Sequence, residues 1–334
     1  MSKTQIPPHY HSSLSIYETQ TAIGFIKRCF EEAMIGSLKL KRVSAPLFVN
    51  SQSGLNDNLS GVERPVQFDV PSLNTDGEVV HSLAKWKRVA LKQYDFHPGN
   101  GLYADMNAIR RDETLDNLHS IYVDQWDWER VITKEQRTLD YLKEVVQSLV
   151  NAMAETASRL HTKYPSITTK IETDIAFITS QELENRYPDL NSKEREHAFV
   201  KEHPTTFILQ IGDKLTSGSP HDHRAPDYDD WALNGDLLFW HEPLNCAMEL
   251  SSMGIRVDEH SLLKQLEKAN AMERLDFKFH QQVAKNKLPL TIGGGIGQSR
   301  MCMLLLEKAH IGEVQVSLWD EETIEACKNN IFLL

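Results

Sequence analysis

The sequence predicts an α+β fold, a mostly antiparallel sheet flanked by helices. Many short segments alternate apolar and polar residues with the period of a strand. Two neighbouring pairs are joined by short polar or proline-containing connections, as antiparallel hairpins are. The helical stripes flank these strands and do not alternate with them one for one, which argues against a doubly wound parallel sheet.

The chain has 334 residues, of which 40% are hydrophobic, enough for one large domain on a wide sheet. We expect a polar arm over residues 1–14 and a single domain over 15–334. The formal charge of −11 argues against an extended nucleic-acid surface. Cys29, Cys246, Cys302 and Cys327 form no CxxC pair, so neither a zinc ribbon nor a disulfide framework is indicated. The first residues carry no apolar leader and no run of 18 apolar residues occurs. A soluble, cytoplasmic protein is therefore expected, with no membrane partner.

Taken in order, Tyr17 to Ile35 carries the apolar stripe of a helix: Ile23, Phe25, Ile26, Phe30 and Met34. Leu38 to Val49 reads as one strand bearing Pro46, which a sheet edge or break tolerates. Residues 53–61 are a loop. Arg64–Val70 and Glu78–His81 are short strands, and Leu83–Lys92 a short helix. After the glycine turn 97–101, Leu102–Arg110 and Leu118–Arg130 form a hairpin about a charged loop.

The second strand of that hairpin, LHSIYVDQWDWER, is the most informative stretch. Alternation puts His119, Ile121, Val123, Gln125, Asp127 and Glu129 on one face, and Ser120, Tyr122, Asp124, Trp126 and Trp128 on the other. Leu139–Leu160 is the longest helix, with one buried stripe. Residues 180–203 suggest two peripheral helices broken at Pro188, and Thr206–Ile211 a strand. A polar loop over 216–232 follows. Asp236–Glu242 and Asn245–Val257 are strands joined at Pro243-Leu244, and 258–287 is mainly helical. Residues 291–308 read as a glycine loop leading into an apolar helix, and Val314–Trp319 as a last strand.

Several groupings could carry chemistry. GGGIGQSR, residues 293–300, lets backbone approach a ligand and sets Arg300 within reach of a phosphate. No Gly-Lys-Ser/Thr follows, so it is not a P-loop. AMELSSMGIR, residues 247–256, puts Glu249, Ser252 and Arg256 on a strand. Strict alternation places Glu249 and Arg256 on opposite faces, so a shared site requires a bulge near Ser252–Gly254. Counting back across Pro243-Leu244 sets Asp236 beside Glu249. Adjacent carboxylates call for a cation, and oxygen-only ligation suits Mg²⁺. Lys85 and Lys87 point different ways on a helix, one toward a pocket and the other toward solvent. Asp57 by itself reads as a turn former. His221 and His223 make an HxH pair without a third ligand, which speaks against zinc.

Glycine loop, arginine, carboxylate pair and polar strand face together suggest ATP and Mg²⁺. Pro46 after a long helix resembles motif 1 of class II aminoacyl-tRNA synthetases. The hairpin with Arg110 resembles their motif 2, and GGGIGQSR their motif 3. NDNLSG, VVHSLAKWKR, GLYADM, HSIYVDQWDWERV, RAPDYDDW, LNGD, ELSSMGIRVD and TIGGGIGQSR together resemble the ammonia-dependent aspartate–ammonia ligases, built on the same catalytic domain.

The resemblance implies a six- to eight-stranded sheet and dimerisation through motif 1. It also implies a reaction: ATP adenylates the β-carboxylate of L-aspartate, and ammonia displaces AMP to give asparagine. On that basis Arg110 binds the α-phosphate and the reacting carboxylate, Gln125 orients the β-carbonyl or ammonia, and Asp57 holds ammonia or takes its proton. Lys87 and Arg256 hold the α-carboxylate and Asp127 the ammonium group, with Ser82 and Ser252 also on the substrate. Ser120, Asp229, Leu250 and Arg300 bind nucleotide, and Asp236 and Glu249 hold Mg²⁺. No glutaminase is expected. Two alternatives stand beside this: an aspartate- or asparagine-activating tRNA synthetase paralogue, or a non-catalytic binding paralogue. Against the second, Arg110, Glu249 and Arg300 are all present.

Overall fold

Ser15 opens the first helix with a capping box, its hydroxyl and Glu18 exchanging bonds with each other's backbone. In the computed structural model, which describes residues 4–57, 59 and 63–334, this helix, α1, spans Ile16–Leu38. It ends at Lys39 in a left-handed turn (φ 55°). Its buried stripe, Ile26, Phe30 and Met34, is the one the spacing predicts.

The expected single strand over Leu38–Val49 is two. β1 (Leu40–Arg42) and β2 (Phe48–Asn50) lie in different sheets, with Pro46 in the connection between them. A residue without an N–H cannot continue the ladder, and the chain changes sheet there. β3 (Gln67–Val70) and β4 (Thr75–Val79) complete a three-stranded sheet with β2.

After helix α2 (Ala84–Gln93) come β5 (Gly101–Ile109) and β6 (Tyr122–Val131), paired antiparallel as predicted. Leu118–Ile121 lies outside β6. The long helix α3 (Leu139–Lys163) packs on α1 beneath the sheet. β7 (Ala176–Thr179) was not predicted. The helix pair α4 (Ser180–Arg186) and α5 (Ser192–Glu202) was, with Pro188 between them.

β8 (Thr205–Leu209) precedes the hairpin β9 (Asp229–His241) and β10 (Cys246–Arg256). β9 starts seven residues earlier than expected, so the polar loop stops at Tyr228. Helices α6 (Glu259–Lys268) and α7 (Lys278–Ala284) follow.

The glycine run is not a loop. It is strand β11 (Thr291–Gly297), clamped antiparallel between β6 and β10, and helix α8 (Gln298–Leu305) starts at its end. Residues 314–319 form no strand, and helix α9 (Glu321–Cys327) comes after them.

Among the described residues the main sheet has eight strands, in the order β1-β5-β6-β11-β10-β9-β8-β7. Only its two edge pairs, β1-β5 and β7-β8, are parallel. One face of β6 buries Trp126 and Trp128 against α1, with Phe30 and Trp126 rings 4.8 Å apart. The opposite face carries the polar row.

Residues 4–14, expected as a polar arm, are anchored. Tyr10 donates to the Glu313 carboxylate at 2.9 Å, and Leu14 is buried in the core. Among the described residues no helix is long and apolar enough to cross a membrane.

Candidate active site

The polar face of β6 floors a cavity of about 600 Å³. Of the fourteen residues expected in a site, twelve line it: Asp57, Ser82, Arg110, Ser120, Gln125, Asp127, Asp229, Glu249, Leu250, Ser252, Arg256 and Arg300. The other two, Lys87 and Asp236, stand directly behind the wall and bond to residues in it. The NDNLSG segment supplies Asp57, while its Asn58, Ser60 and Gly61 lie outside the described residues.

The floor is an ion network with almost no water contact. Lys87, fully buried on α2, pairs with Asp127 and donates to the Trp128 carbonyl at 2.9 Å. Asp127 also accepts from the Leu83 N–H at 3.0 Å, near the α2 N-terminus. Arg256 takes Glu129 in a forked contact, at 2.7 and 3.1 Å, and Asp229 with its other nitrogen. Glu129 also accepts from Thr291 at 2.7 Å and lies 3.7 Å from Lys87. Burial pushes the Glu129 carboxyl upward, but Arg256 and Lys87 outweigh it and hold the group below its ordinary range. For Asp229 burial wins over Arg256, and its carboxyl is raised.

The glycines of β11 make this floor possible. A Cβ at Gly293 would strike Glu129, and one at Gly295 would strike the Gln125 amide. Both side chains lie across the strand, and only glycine leaves them room.

Beside the floor, Ser82 donates to Asp57 at 2.9 Å, and the His81 ring meets the Asp57 carbonyl at 3.1 Å. Lys85 was expected to split from Lys87, one inward and one in solvent. Both are buried. Lys85 donates to the Asn56 carbonyl at 3.0 Å and pairs with Asp227 at 2.8 Å. Arg274 and His280 meet the same Asp227 oxygen at 2.8 Å each. Burial opposes ionisation of Asp227, yet Lys85, His280 and Arg274 hold it far below the usual carboxylate range. A helix places successive lysines about 100° apart, but a second buried acid from the 216–228 loop was not foreseeable by spacing.

The opposite wall is basic and less fully paired. Arg110 follows the end of β5, 4.0 Å from Glu113, and its Nε is buried without a partner among the described residues. Arg300, in the first turn of α8, donates to the Glu249 carbonyl at 2.9 Å. The Ser120 hydroxyl bonds to Gln315 and is only 5% exposed.

The expected pairing of Asp236 with Glu249 needs correcting. Asp236 faces Ser252 across the ladder, and Glu249 faces Leu238. The two carboxylates are diagonal neighbours on one face, two positions apart in the hairpin register, and a bulge between Glu249 and Ser251 carries Asp236 one residue further along β10, to Ser252. A second bulge lies between Gly254 and Arg256, so the bend that the shared site required exists at two places flanking the expected one. Burial and Glu249 hold the Asp236 carboxyl above its ordinary range, although Arg224 opposes this. Burial also works against Glu249, but Arg300, Lys193, Arg224 and Arg110 keep it low. Arg224 pairs with Asp236 and was not singled out from the sequence, although the RAPD segment carried it.

These residues fit a hard cation and a polyphosphate. Asp236 is 5% exposed, and its Oδ1 is buried with no partner among the described residues. Such an orphaned oxygen beside a second carboxylate is what a Mg²⁺ ligand needs. His221 bonds to Glu196 at 3.0 Å, and no cluster of three metal-holding side chains occurs among the described residues.

A family profile described as "Aspartate-ammonia ligase" matches residues 17–331. The chain is 60% identical to the aspartate–ammonia ligase of Clostridium perfringens (strain SM101 / Type A), covering all of both chains. It is 58% identical to that of Lactobacillus johnsonii, covering 97% of each. Among solved structures it resembles the asparaginyl-tRNA synthetase of Entamoeba histolytica in complex with asparaginyl-adenylate, with a TM-score of 0.63 at 14% identity, over 90% of this chain and 66% of that one. The Pyrococcus horikoshii enzyme complexed with asparaginyl-adenylate gives 0.63 at 12% identity, over 89% and 68%. The chain thus spans about two thirds of these synthetases' length, and at such identity the likeness shows the shared fold.

Proposed function

The chain belongs to the aspartate–ammonia ligase family, and we propose that it makes L-asparagine from L-aspartate and ammonia through a β-aspartyl adenylate, releasing AMP and pyrophosphate. The observation that carries this is the meeting of two unlike surfaces in one cavity. A floor of paired charges suits a zwitterionic amino acid, and a wall of arginines suits a triphosphate.

In this reading Arg256, with Lys87 behind it, attracts the α-carboxylate of aspartate, and Asp127 accepts its ammonium group. The β-carboxylate then points toward Arg110. That guanidinium holds a carboxylate oxygen and the α-phosphate in contact, and its unpartnered Nε supports such a second bond. The carboxylate oxygen attacks the α-phosphorus and pyrophosphate leaves. Gln125 donates to the β-carbonyl, where negative charge develops as ammonia attacks. Asp57, steadied by Ser82, takes the proton that the incoming nitrogen must lose. AMP leaves with the acyl oxygen.

Ser120, Leu250 and Arg300 take the nucleotide, and Ser82 and Ser252 flank the amino acid. Asp229 reaches the nucleotide side through its pairing with Arg256. Asp236 and Glu249 would hold Mg²⁺, which when bound neutralises phosphate charge.

The experiment is product analysis with ATP, aspartate and ¹⁵N-ammonium. Labelled asparagine, AMP and pyrophosphate support the reading; ADP and inorganic phosphate as the sole nucleotide products overturn it.

We also infer a cytoplasmic homodimer joined through α1 and the segment bearing Pro46. Tyr17 is 83% exposed and Leu47 55%, apolar surface that a second copy would cover. Sedimentation giving a monomer at micromolar concentration would refute it.

A further inference from the structure

Asp236 and Glu249 share one face of the β9–β10 hairpin, and a side-chain cation stands beside them. Arg224 supplies a cation itself. Its Nη2 pairs with Asp236 Oδ2, and its Nη1 donates to the His223 carbonyl at 3.0 Å and lies 3.9 Å from Asp222. Its side chain is 13% exposed and lines the cavity.

The short loop that delivers Arg224 is pinned at both ends. Before it, His221 bonds to Glu196 of α5 at 3.0 Å, and Glu196 holds Lys193 at 3.0 Å. After it, Asp227 is locked among Lys85, Arg274 and His280. A guanidinium so carried is set in place by the fold, not left to sample the surface. It uses one Asp236 oxygen only. The other, Oδ1, is buried and has no partner among the described residues.

We propose that Arg224 is a resident counter-ion for the metal seat, keeping divalent ions out of the free protein and yielding its place when nucleotide arrives. This rests on the seat assigned to Asp236 and Glu249 above. A Mg²⁺ ligand oxygen sits about 2.0–2.1 Å from the ion. A guanidinium in contact with the same carboxylate opposes that approach by charge and by bulk. The phosphates of a nucleotide offer Arg224 a better anion, which its fork fits in two-point contact. Metal and nucleotide then bind with positive coupling, and Arg224 is the group through which they are coupled.

The test is Mn²⁺ binding, read by electron paramagnetic resonance, with and without α,β-methylene-ATP. The wild-type protein should bind Mn²⁺ weakly alone and more tightly with the analogue. R224M should bind Mn²⁺ alone at least about tenfold more tightly than wild type, and its gain from the analogue should shrink by the same factor. R224K, which keeps the charge, should behave as wild type. The gain should vanish in the double variant R224M/E249Q, which ties it to this pair. Should R224M fail to reproduce the wild-type melting curve, R224Q takes its place.

Unchanged Mn²⁺ affinity in the folded Arg224 variant overturns the proposal. If E249Q at the same time loses analogue-dependent Mn²⁺ binding, the seat itself stands. If E249Q keeps that binding, the seat is elsewhere and the proposal falls with it.

Discussion

The floor and the wall of this cavity are built from the same residue types and behave oppositely. On the floor, Lys87, Arg256, Asp127, Glu129 and Asp229 satisfy one another, almost wholly out of water. On the wall, Arg110 and Asp236 each keep a buried atom without a partner among the described residues. A saturated ion network is part of the frame, since removing one member strands another in low dielectric. An unsaturated one is a stored capacity for ligand. The comparison teaches which substitutions should cost folding and which should cost only chemistry.

The largest effect should come from the wall. Arg110→Ala should lower activity by several powers of ten, on the order of 3–5 kcal/mol of transition-state stabilisation. Thermal unfolding should hardly move. A variant already unfolded at ordinary temperature would place Arg110 in the frame and erase the contrast.

Glu129→Gln tests the floor. It keeps the shape and removes the charge that Arg256 and Lys87 share. Stability should drop by about 3–5 kcal/mol, measured by denaturant titration. A loss below about 1 kcal/mol would show that Asp229 and Asp127 suffice for both cations.

The pH dependence of stability should be set by the frame as well. Burial pushes His241 and His310, both fully inaccessible, down to about 4. The unfolded chain takes up their protons near pH 6.5, which the folded chain refuses until about 4. The stability these two histidines contribute is therefore complete above about pH 6.5 and falls as pH drops toward 4, by roughly 3 kcal/mol each, a loss that the raised Asp236 carboxyl offsets only in part because it is one group against two. Below that, Glu129 adds loss in the same direction, because its folded carboxyl is held low. Melting temperature against pH checks this, and His241→Gln should flatten the slope. A melting temperature constant between pH 4 and 6.5 would contradict it.

The smallest effect on folding should be that of Glu249→Gln. The melting curve should stay put or fall slightly, since repulsion with Asp236 is relieved while attraction to Arg300, Lys193 and Arg224 is lost. The Mg²⁺ concentration needed for pyrophosphate exchange should rise about tenfold or more. Wild-type Mg²⁺ dependence in this variant would remove the carboxylate pair from the metal site.

The sequence by itself determined what depends on short-range periodicity. Alternation in β6 sent Gln125 and Asp127 to the cavity and Trp126 and Trp128 to the core, because a strand turns each side chain through the same angle. The count across Pro243-Leu244 put Asp236 and Glu249 on one face, although it missed the bulge at Leu250. The partner of Glu249 is Leu238, two residues from Asp236, and the bulge, which leaves no mark in composition, moves Asp236 one residue further, to Ser252. Most of the site residues came from the motif resemblance, not from periodicity, since their separations in sequence run as far as that from Asp57 to Arg300.

Only the tertiary structure decided the rest. GGGIG reads locally as a loop, since glycine weakens any strand. It is a strand here because β6 and β10 supply ladder partners on both sides and need its missing side chains for Glu129 and Gln125. Val314–Trp319 has strand-like residues, yet the described chain gives it no ladder partner and it forms none. Lys85 and Arg224 look like surface cations until Asp227 and Asp236, far off or across a loop, are folded against them. The burial of a charge is decided by where its counter-charge ends up, and that is a long-range property no local pattern carries.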